Sequence, residues 1–458
     1  MKIIIIGSGR TGRLLISALS LEKYDIVVID KERKLIDEIT DKYSVNGIVG
    51  SGASRETLIA AGAATADAIV ALTPVDEINL LSCMQAKNLG TRYAAARISM
   101  PDFAEESENL KCEYKIDHII KAREDVAGEI YQNIGMPGNT KITGYWKNGL
   151  YLLDLNLLED SPLCGRTLND IKKTNSLSIM VVAVLREGKL TIPDGNCVVN
   201  AGDNLTIVIG ENELPETLRS LGIHRKKVKK VMLVGGNTIS EYLLTLMEKD
   251  GYRITILEKD ADRCRELMDR FPHCRILCTG EGELLEILKE EQLSDMDMVV
   301  SLTDSDETNL VVSMFSWSCR IPSVFTYVDV TEHLQLLHKV NIDITVSAVE
   351  TAAFKAMRFI RYHDGDLPQK ELGKFYLAAE GRAEIKELLA GKDFGLLNVP
   401  FKDPKFKLKK GVLIAAILRG DKTIVPTGDT CITEGDQVII TTSRKLKIRN
   451  LNDIKALS

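Results

Sequence analysis

The sequence predicts an α/β protein with two Rossmann-like, doubly wound parallel-sheet domains, each followed by a small α+β domain. Three observations carry this expectation. The chain is internally duplicated, its apolar strands alternate with helical stretches, and a glycine-rich turn joins its first strand to its first helix.

The duplication comes first, because repeats of a fixed period constrain architecture more than any single motif. Residues 73–80 (TPVDEINL) and 303–310 (TDSDETNL) are identical at five of eight positions at an offset of 230. IIIIGSGRTG (3–12) aligns with VMLVGGNTIS (231–240) at an offset of 228, and Asp30 falls on Glu258 at the same offset. VGSG (49–52) falls on TGEG (279–282). A second pair lies between and after these. AVLREGKLTIPDGN (183–196) and AILRGDKTIVPTGD (416–429) match at six of fourteen positions at an offset of 233, and Gly202-Asp203 falls on Gly435-Asp436. The chain is therefore a two-domain unit repeated in tandem, with expected domains at 1–136, 140–222, 229–365 and 372–458.

In the first repeat, strands are expected at Lys2–Ile6, Asp25–Ile29, Gly47–Val49, Ala68–Leu72 and Arg92–Ile98, with helices at Gly12–Leu19 and Lys31–Tyr43. Such βα alternation with short apolar strands argues for a parallel, doubly wound sheet. The intervening segments of about 80 residues are strand-rich, with turns such as Arg186-Glu187-Gly188-Lys189 and Pro193-Asp194-Gly195.

Composition narrows the function. The 458 residues are 45% hydrophobic and 27% charged, as in an ordinary globular protein, and a net charge of −6 offers no global field for nucleic acid. The basic run His224–Lys230 reads as a solvated linker entering a strand. No apolar run approaches the ~18 residues of a bilayer span, and the start carries no secretory signal. The chain is thus expected in the cytoplasm, without direct membrane insertion, with its nine cysteines as thiols. The tightest metal-like group, Cys264, His273, Cys274 and Cys278, reads instead as a buried strand with its approaches, so no metal site is expected.

Gly7-Ser8-Gly9-Arg10-Thr11-Gly12 follows a strand and opens a helix, the context a G-x-G-x-x-G turn requires. Gly7 serves the tight turn, Gly9 the approach of backbone to a pyrophosphate, and Gly12 the packing of helix on sheet. The free N–H groups of the helix start face the phosphates. Asp30 ends the second strand 23 residues after Gly7, close to the ~20 expected for an acid that holds a ribose hydroxyl. An acid there favours NAD(H) or an adenine nucleotide over NADP. The second repeat keeps Gly235 and Glu258, but Asn237 stands where Gly9 does and Ser240 where Gly12 does, and a side chain at the former crowds a pyrophosphate. Thr73, Asp76, Glu77 and Asn79 follow the fourth strand at the sheet's carboxyl edge. They suit either a ligand cleft or a helix start with Thr73 as N-cap and Pro74 at N1.

No group able to perform chemistry on the nucleotide is visible. The six histidines avoid both small domains, and neither a nucleophile triad nor a G-x-x-x-x-G-K-[ST] loop is present. A binding switch is therefore expected, with no catalytic residues. The alternatives are an NAD-dependent oxidoreductase, which needs a substrate pocket with an acid or base, and a redox-sensing transcriptional regulator, which needs a helix-turn-helix.

The ordered set GSGRTG, Asp30, GSGAS (50–54), TPVDEINL, ARISMP (96–101) and IDHIIKAREDVAGEI (116–130) resembles an RCK (KTN) domain, and the Pro193-Asp194-Gly195 and Gly202-Asp203 turns resemble its C-terminal partner domain. The tandem arrangement is similar to the peripheral NAD-binding subunits of Trk-type potassium uptake systems, over essentially the whole chain. The resemblance implies a cytoplasmic ring of RCK domains, a homotetramer, held on the inner face of the membrane by a potassium-transporting subunit. It implies NAD(H), and ATP or ADP, in the Rossmann clefts. By motif, Gly7, Gly9, Arg10, Thr11 and Gly12 approach the phosphates and Asp30 holds the ribose. Ser51 lies near the adenine end, Thr73 lines the cleft edge, and Arg97 reaches a phosphate. This chain departs from the pattern at Ser99, where many relatives carry arginine, and at Tyr327, where Arg97 falls in the second repeat.

Overall fold

The structure, a computed structural model, describes all residues except 21, 23, 147–148, 176–178, 281–283, 291–292, 331–332, 334–343, 365–371, 380, 421, 444–445, 447, 449 and 457–458. The expected Glu281-Gly282 counterpart of the first repeat's glycine turn lies outside the described residues. The chain divides into two compact units, Met1–Ile134 with Lys227–Asp364, and Gly135–Lys226 with Gly365–Ser458.

The first repeat opens with β1 (Lys2–Ile6), α1 (Arg10–Leu19), β2 (Asp25–Asp30), α2 (Arg33–Lys42) and β3 (Asn46–Val49). It continues through α3 (Arg55–Ala60), β4 (Ala68–Ala71), α4 (Asp76–Leu89), β5 (Tyr93–Arg97), α5 (Pro101–Glu105), α6 (Ser107–Tyr114), β6 (His118–Ile120) and α7 (Ala122–Gln132). The strands form one parallel sheet in the order β3-β2-β1-β4-β5-β6, the doubly wound arrangement expected. Its centre is β1, whose four isoleucines are at most 2% exposed because helices cover both faces of the sheet. Each such burial contributes roughly 1.5–3 kcal/mol. Strand order reverses between β1 and β4, so their carboxyl ends flank a crevice.

The next segment folds as β7 (Thr140–Trp146), β8 (Leu150–Asn156), α8 (Leu168–Asn175), β9 (Met180–Arg186), β10 (Lys189–Thr191), β11 (Asn204–Gly210) and α9 (Leu214–Ser220), with an antiparallel sheet ordered β10-β9-β11-β8-β7. The second Rossmann repeat then runs β12 (Lys230–Val234), α10 (Thr238–Met247), β13 (Arg253–Glu258), α11 (Ala261–Arg270), β14 (Arg275–Cys278), α12 (Leu284–Glu290), β15 (Met298–Ser301), α13 (Asp306–Ser318), β16 (Ser323–Tyr327), β17 (Ile344–Val346) and α14 (Ala348–Tyr362). Its sheet, β14-β13-β12-β15-β16-β17, repeats the order of the first. The last segment comprises β18 (Leu372–Ala378), β19 (Ala383–Leu389), β20 (Val412–Arg419), β21 (Lys422–Ile424) and β22 (Gln437–Ser443) in the order β18-β19-β22-β20-β21, again a copy of its predecessor.

Two local expectations need correction. Helix α4 begins at Asp76 with an extended Val75 as its cap, not at Pro74 with Thr73 as its cap, because the Asn79 carboxamide accepts from both the Thr73 N–H (2.9 Å) and its hydroxyl (2.7 Å) and engages Thr73 outside the helix. Strand β14 is an edge strand with Arg275 and Cys278 exposed, so the Cys274–Cys278 stretch is only partly buried. Among the described residues no cluster of His, Cys, Asp and Glu is placed to hold a metal ion.

Within the first unit the two Rossmann repeats pack reciprocally: α10 against α7, and α1 against α14. Lys355 of α14 pairs with the half-buried Asp125 of α7 at 2.5 Å, Arg361 with Glu22, and Tyr24 donates to Asp364 at 2.7 Å. Tyr93 stacks on His363 at 3.7 Å and His118 on Phe359 at 5.9 Å. Burial, then the charges of Lys355 and Arg358, depress the His118 imidazole to about 4, so it is packed here as a neutral ring.

In the second unit the repeated Gly-Asp turn has an evident purpose. Arg186 grips Asp203 at 2.7 and 2.8 Å and Arg419 grips Asp436 at 2.8 and 2.8 Å, each through two parallel bonds. The two carboxylates are buried and accept further bonds from the Asn200 and Thr433 N–H groups. The sheets share an apolar core in which Leu152, Val182 and Val208 meet Ile385, Ala416 and Ile439. Among the described residues no helix is long and apolar enough to cross a membrane.

Candidate nucleotide-binding site

The site grows out of the β1–α1 turn. Gly7 takes φ +93°, a conformation costly for a residue with a Cβ, and a Cβ there also falls 3.1 Å from the Thr73 nitrogen. A Cβ on Gly12 would stand 2.0 Å from the Gly7 carbonyl oxygen, so the close seating of α1 on the sheet depends on this glycine. Gly9 differs from both. It caps α1 without any side-chain bond, and nothing lies within 4 Å of a Cβ placed on it. The first turn of α1 thus faces open space with its N–H groups uncapped by any side chain, where the helix dipole favours an anion. Arg10 is exposed at this turn, and Thr11 is buried beside it.

Asp30 ends β2 at the other side of the turn. Its carboxylate accepts from the Ser8 N–H (2.6 Å), the Ser8 hydroxyl (2.7 Å) and the Glu32 N–H (3.1 Å). Burial pushes its pKa upward, but these hydrogen bonds outweigh it and hold the carboxyl below the ordinary aspartate range. It is an anion at neutral pH, suited to accept from hydroxyls. Ser51 follows β3, and its hydroxyl accepts from the Ala53 N–H at 3.3 Å. Thr73 stands after β4 across from Gly7.

Arg97 ends β5, with its carbonyl fixed by the Asn79 carboxamide at 2.9 Å. Its guanidinium reaches the Thr11 hydroxyl at 3.5 Å, and its buried Nε has no hydrogen-bond partner. Burial, then the adjacent Arg123 charge, weaken its hold on its proton, and Tyr327, Asp329 and Asp76 oppose that effect. Asp76 does not pair with Glu77 as an acid–base dyad. One of its oxygens accepts from the Ser99 (2.8 Å) and Met100 (2.7 Å) N–H groups, and the other is buried without a partner.

The structure thus brings Gly7, Gly9, Arg10, Thr11, Gly12, Asp30, Thr73 and Arg97 to the carboxyl edge of one sheet. It adds contacts that sequence reasoning missed. Arg123, on the first turn of α7, donates to the Thr238 hydroxyl at the start of α10 (3.1 Å), and Arg10 lies within electrostatic reach of Glu307 of the second repeat. Tyr327 donates to Asp329 at 2.5 Å. The sequence shows Tyr327 where Arg97 falls in the second repeat, but it carries no local signal for Arg123, Thr238 or Asp329.

Gly235 and Glu258 hold the corresponding places in the second repeat. Gly235 takes φ +104°, and Glu258 accepts from the N–H groups of Gly236 (2.5 Å), Lys259 (2.8 Å) and Asp260 (2.9 Å). Thr303 repeats the Thr73 arrangement, its hydroxyl donating to Asn309 at 2.7 Å.

A doubly wound sheet with a glycine turn between its first strand and first helix, and an acid at the end of its second strand, defines a Rossmann-type nucleotide-binding domain, here present twice. Family comparison agrees: the TrkA-N domain matches residues 3–122 and 231–348, and the TrkA-C domain residues 152–239 and 390–450. The Trk system potassium uptake protein TrkA homolog 1 of Methanosarcina mazei is 30% identical over 450 residues, covering 96% of this chain and 97% of that protein. The TrkA protein of Vibrio alginolyticus is 27% identical over 462 residues, covering 100% and 98%. The chain belongs to the TrkA family. Its fold is also that of the GsuK channel, with a TM-score of 0.64 at 16% identity over 97% of this chain and 77% of the other, and of the GsuK channel bound to NAD, with a TM-score of 0.60 at 16% identity over 97% and 77%.

Proposed function

We propose that this chain is a cytoplasmic regulatory subunit that senses nucleotides and gates a membrane potassium transporter, assembling as a homotetrameric ring on the transporter's inner face. The observation that carries this reading is the open, uncapped first turn of α1 beside the Asp30 carboxylate, in a chain whose full-length relatives are Trk potassium uptake proteins. NAD(H), when bound, supplies a pyrophosphate and ribose hydroxyls for recognition. Gly7, Gly9, Arg10, Thr11 and Gly12 cradle the pyrophosphate, Asp30 accepts from the ribose, Ser51 lies at the adenine end and Thr73 at the cleft edge. Arg97, whose guanidinium reaches the Thr11 hydroxyl at 3.5 Å, is the cation for a terminal phosphate of ATP or ADP.

The signal passes through the reciprocal packing of α7 and α10, and of α1 and α14, which ties the crevice of one repeat to the helices of the other. Ligands that differ in affinity for two arrangements of these helices shift their populations, and a full swing from 1:99 to 99:1 needs ~5.5 kcal/mol of differential affinity. The test is potassium influx into potassium-starved cells lacking this chain, with the wild type or Asp30→Ala restored, alongside NADH binding to each purified protein. Full recovery by the wild type alone, with weakened binding by the variant, is expected. Influx that ignores the presence of the chain would overturn the transporter partnership.

A further inference from the structure

We infer that the second Rossmann repeat is closed to dinucleotides by its own Asn237, so that each chain carries one dinucleotide, in the first repeat. This rests on the nucleotide-binding reading of the first crevice. The two repeats share sheet order and acid position and differ at the one place where phosphate must land. Gly9 leaves the start of α1 bare. Asn237 fills the same place at the start of α10. Its Oδ1 accepts from the N–H groups of Ile239 (2.9 Å) and Ser240 (3.3 Å), which are the donors a phosphate would take. Its Nδ2 donates to the Leu302 carbonyl at 2.6 Å, tying the carboxamide across the crevice to the end of β15. The side chain is therefore held at both ends and serves as a built-in substitute for the ligand.

Neighbouring groups brace the closure. Ser240 replaces the helix-seating glycine and donates to the Gly235 carbonyl at 2.6 Å. Arg263 donates from Nε to the Gly236 carbonyl at 2.7 Å and pairs with Glu241 of α10, so the backbone of the turn is held from the α11 side as well. The first repeat has a weaker counterpart, Arg13 to the Ser8 carbonyl at 3.2 Å. The oxygens of Glu258 accept from the Gly236 N–H of the glycine turn and from the Lys259 and Asp260 N–H groups of their own turn. The second repeat then acts as a fixed wall: it presents Thr238 to Arg123, and Tyr327 and Asp329 to Arg97.

The experiment counts NADH bound per chain by equilibrium dialysis for the wild type, Glu258→Ala, Asp30→Ala and Asn237→Gly. One NADH per wild-type chain is expected, retained by Glu258→Ala, lost with an at least tenfold weaker affinity in Asp30→Ala, and raised to two in Asn237→Gly. Two NADH per wild-type chain, or a count that falls in Glu258→Ala and survives in Asp30→Ala, overturns the closure. A count of one in a folded Asn237→Gly also overturns the role given to Asn237, folding being read from an unchanged thermal transition. A wild type that binds no NADH fails the nucleotide reading itself, a different outcome from either.

Discussion

The Arg123 guanidinium donates to the Thr238 hydroxyl at 3.1 Å, joining residues 115 positions apart at the facing helix starts of the two Rossmann repeats. Arg123 also lies beside Arg97, so two cations meet where the carboxyl edges of the two sheets converge. The pair is held in place by tertiary packing rather than by mutual attraction, the arrangement expected where an anion is to be received.

The coupling between the repeats is therefore measurable at this contact. Arg123→Met and Thr238→Val are each expected to cost about 0.5–1.5 kcal/mol, with a double-mutant interaction energy of similar size. Chemical denaturation of the four proteins of the cycle gives the answer, and strict additivity would mean that the bond carries no coupling.

Gly12→Ala places a Cβ 2.0 Å from the Gly7 oxygen. Such a clash with backbone has no flexible side chain to absorb it, so a loss of roughly 2 kcal/mol or more is expected. Thermal unfolding should show it, together with lost NADH binding. Gly9→Ala, with open space around its Cβ, should unfold at nearly the wild-type temperature while binding NADH more weakly.

His118 supplies a pH signature. Its imidazole titrates near 4 when folded and near 6.5 when unfolded, so the unfolded chain takes up the proton first. The contribution is fully present above pH 6.5 and is lost as pH falls from 6.5 toward 4, at up to about 1.4 kcal/mol per pH unit. His118→Phe, which keeps the contact with Phe359, is expected to flatten the acid limb of the stability curve. An unchanged slope would assign that limb to other groups.

The Arg419–Asp436 pair should be asymmetric on substitution. Arg419→Met strands a buried carboxylate that keeps its Thr433 bonds but loses its paired cation, at an expected cost of about 2–4 kcal/mol. Adding Asp436→Asn to Arg419→Met should recover part of that loss, read as a partial return of the thermal midpoint.

Much of this molecule is written locally. The isoleucine run of β1, the glycine turn and the acid at the end of β2 lie within thirty residues of one another and announce a Rossmann unit. The duplicated Gly-Asp turns gave their positions at 202–203 and 435–436, though not their arginine partners. Helix starts were less legible. The α4 start falls at Asp76 rather than Pro74 because Thr73 bonds to Asn79, six residues on, a competition between side chain and backbone that residue preference alone does not resolve.

The sequence by itself determined the two-fold internal repetition, the alternation of strands and helices that opens the Rossmann repeat, and the residue types at the first phosphate turn, because each depends on neighbours in the chain. Only the tertiary structure decided that Arg123 meets Thr238, that Arg97 faces Tyr327 and Asp329, and that Asn237 bridges to Leu302, 65 residues away. Those contacts depend on how whole helices seat on one another. A difference of one side chain, Gly9 against Asn237, becomes an open helix start in one repeat and a sealed one in the other only after the sheet edge has been brought within bonding distance.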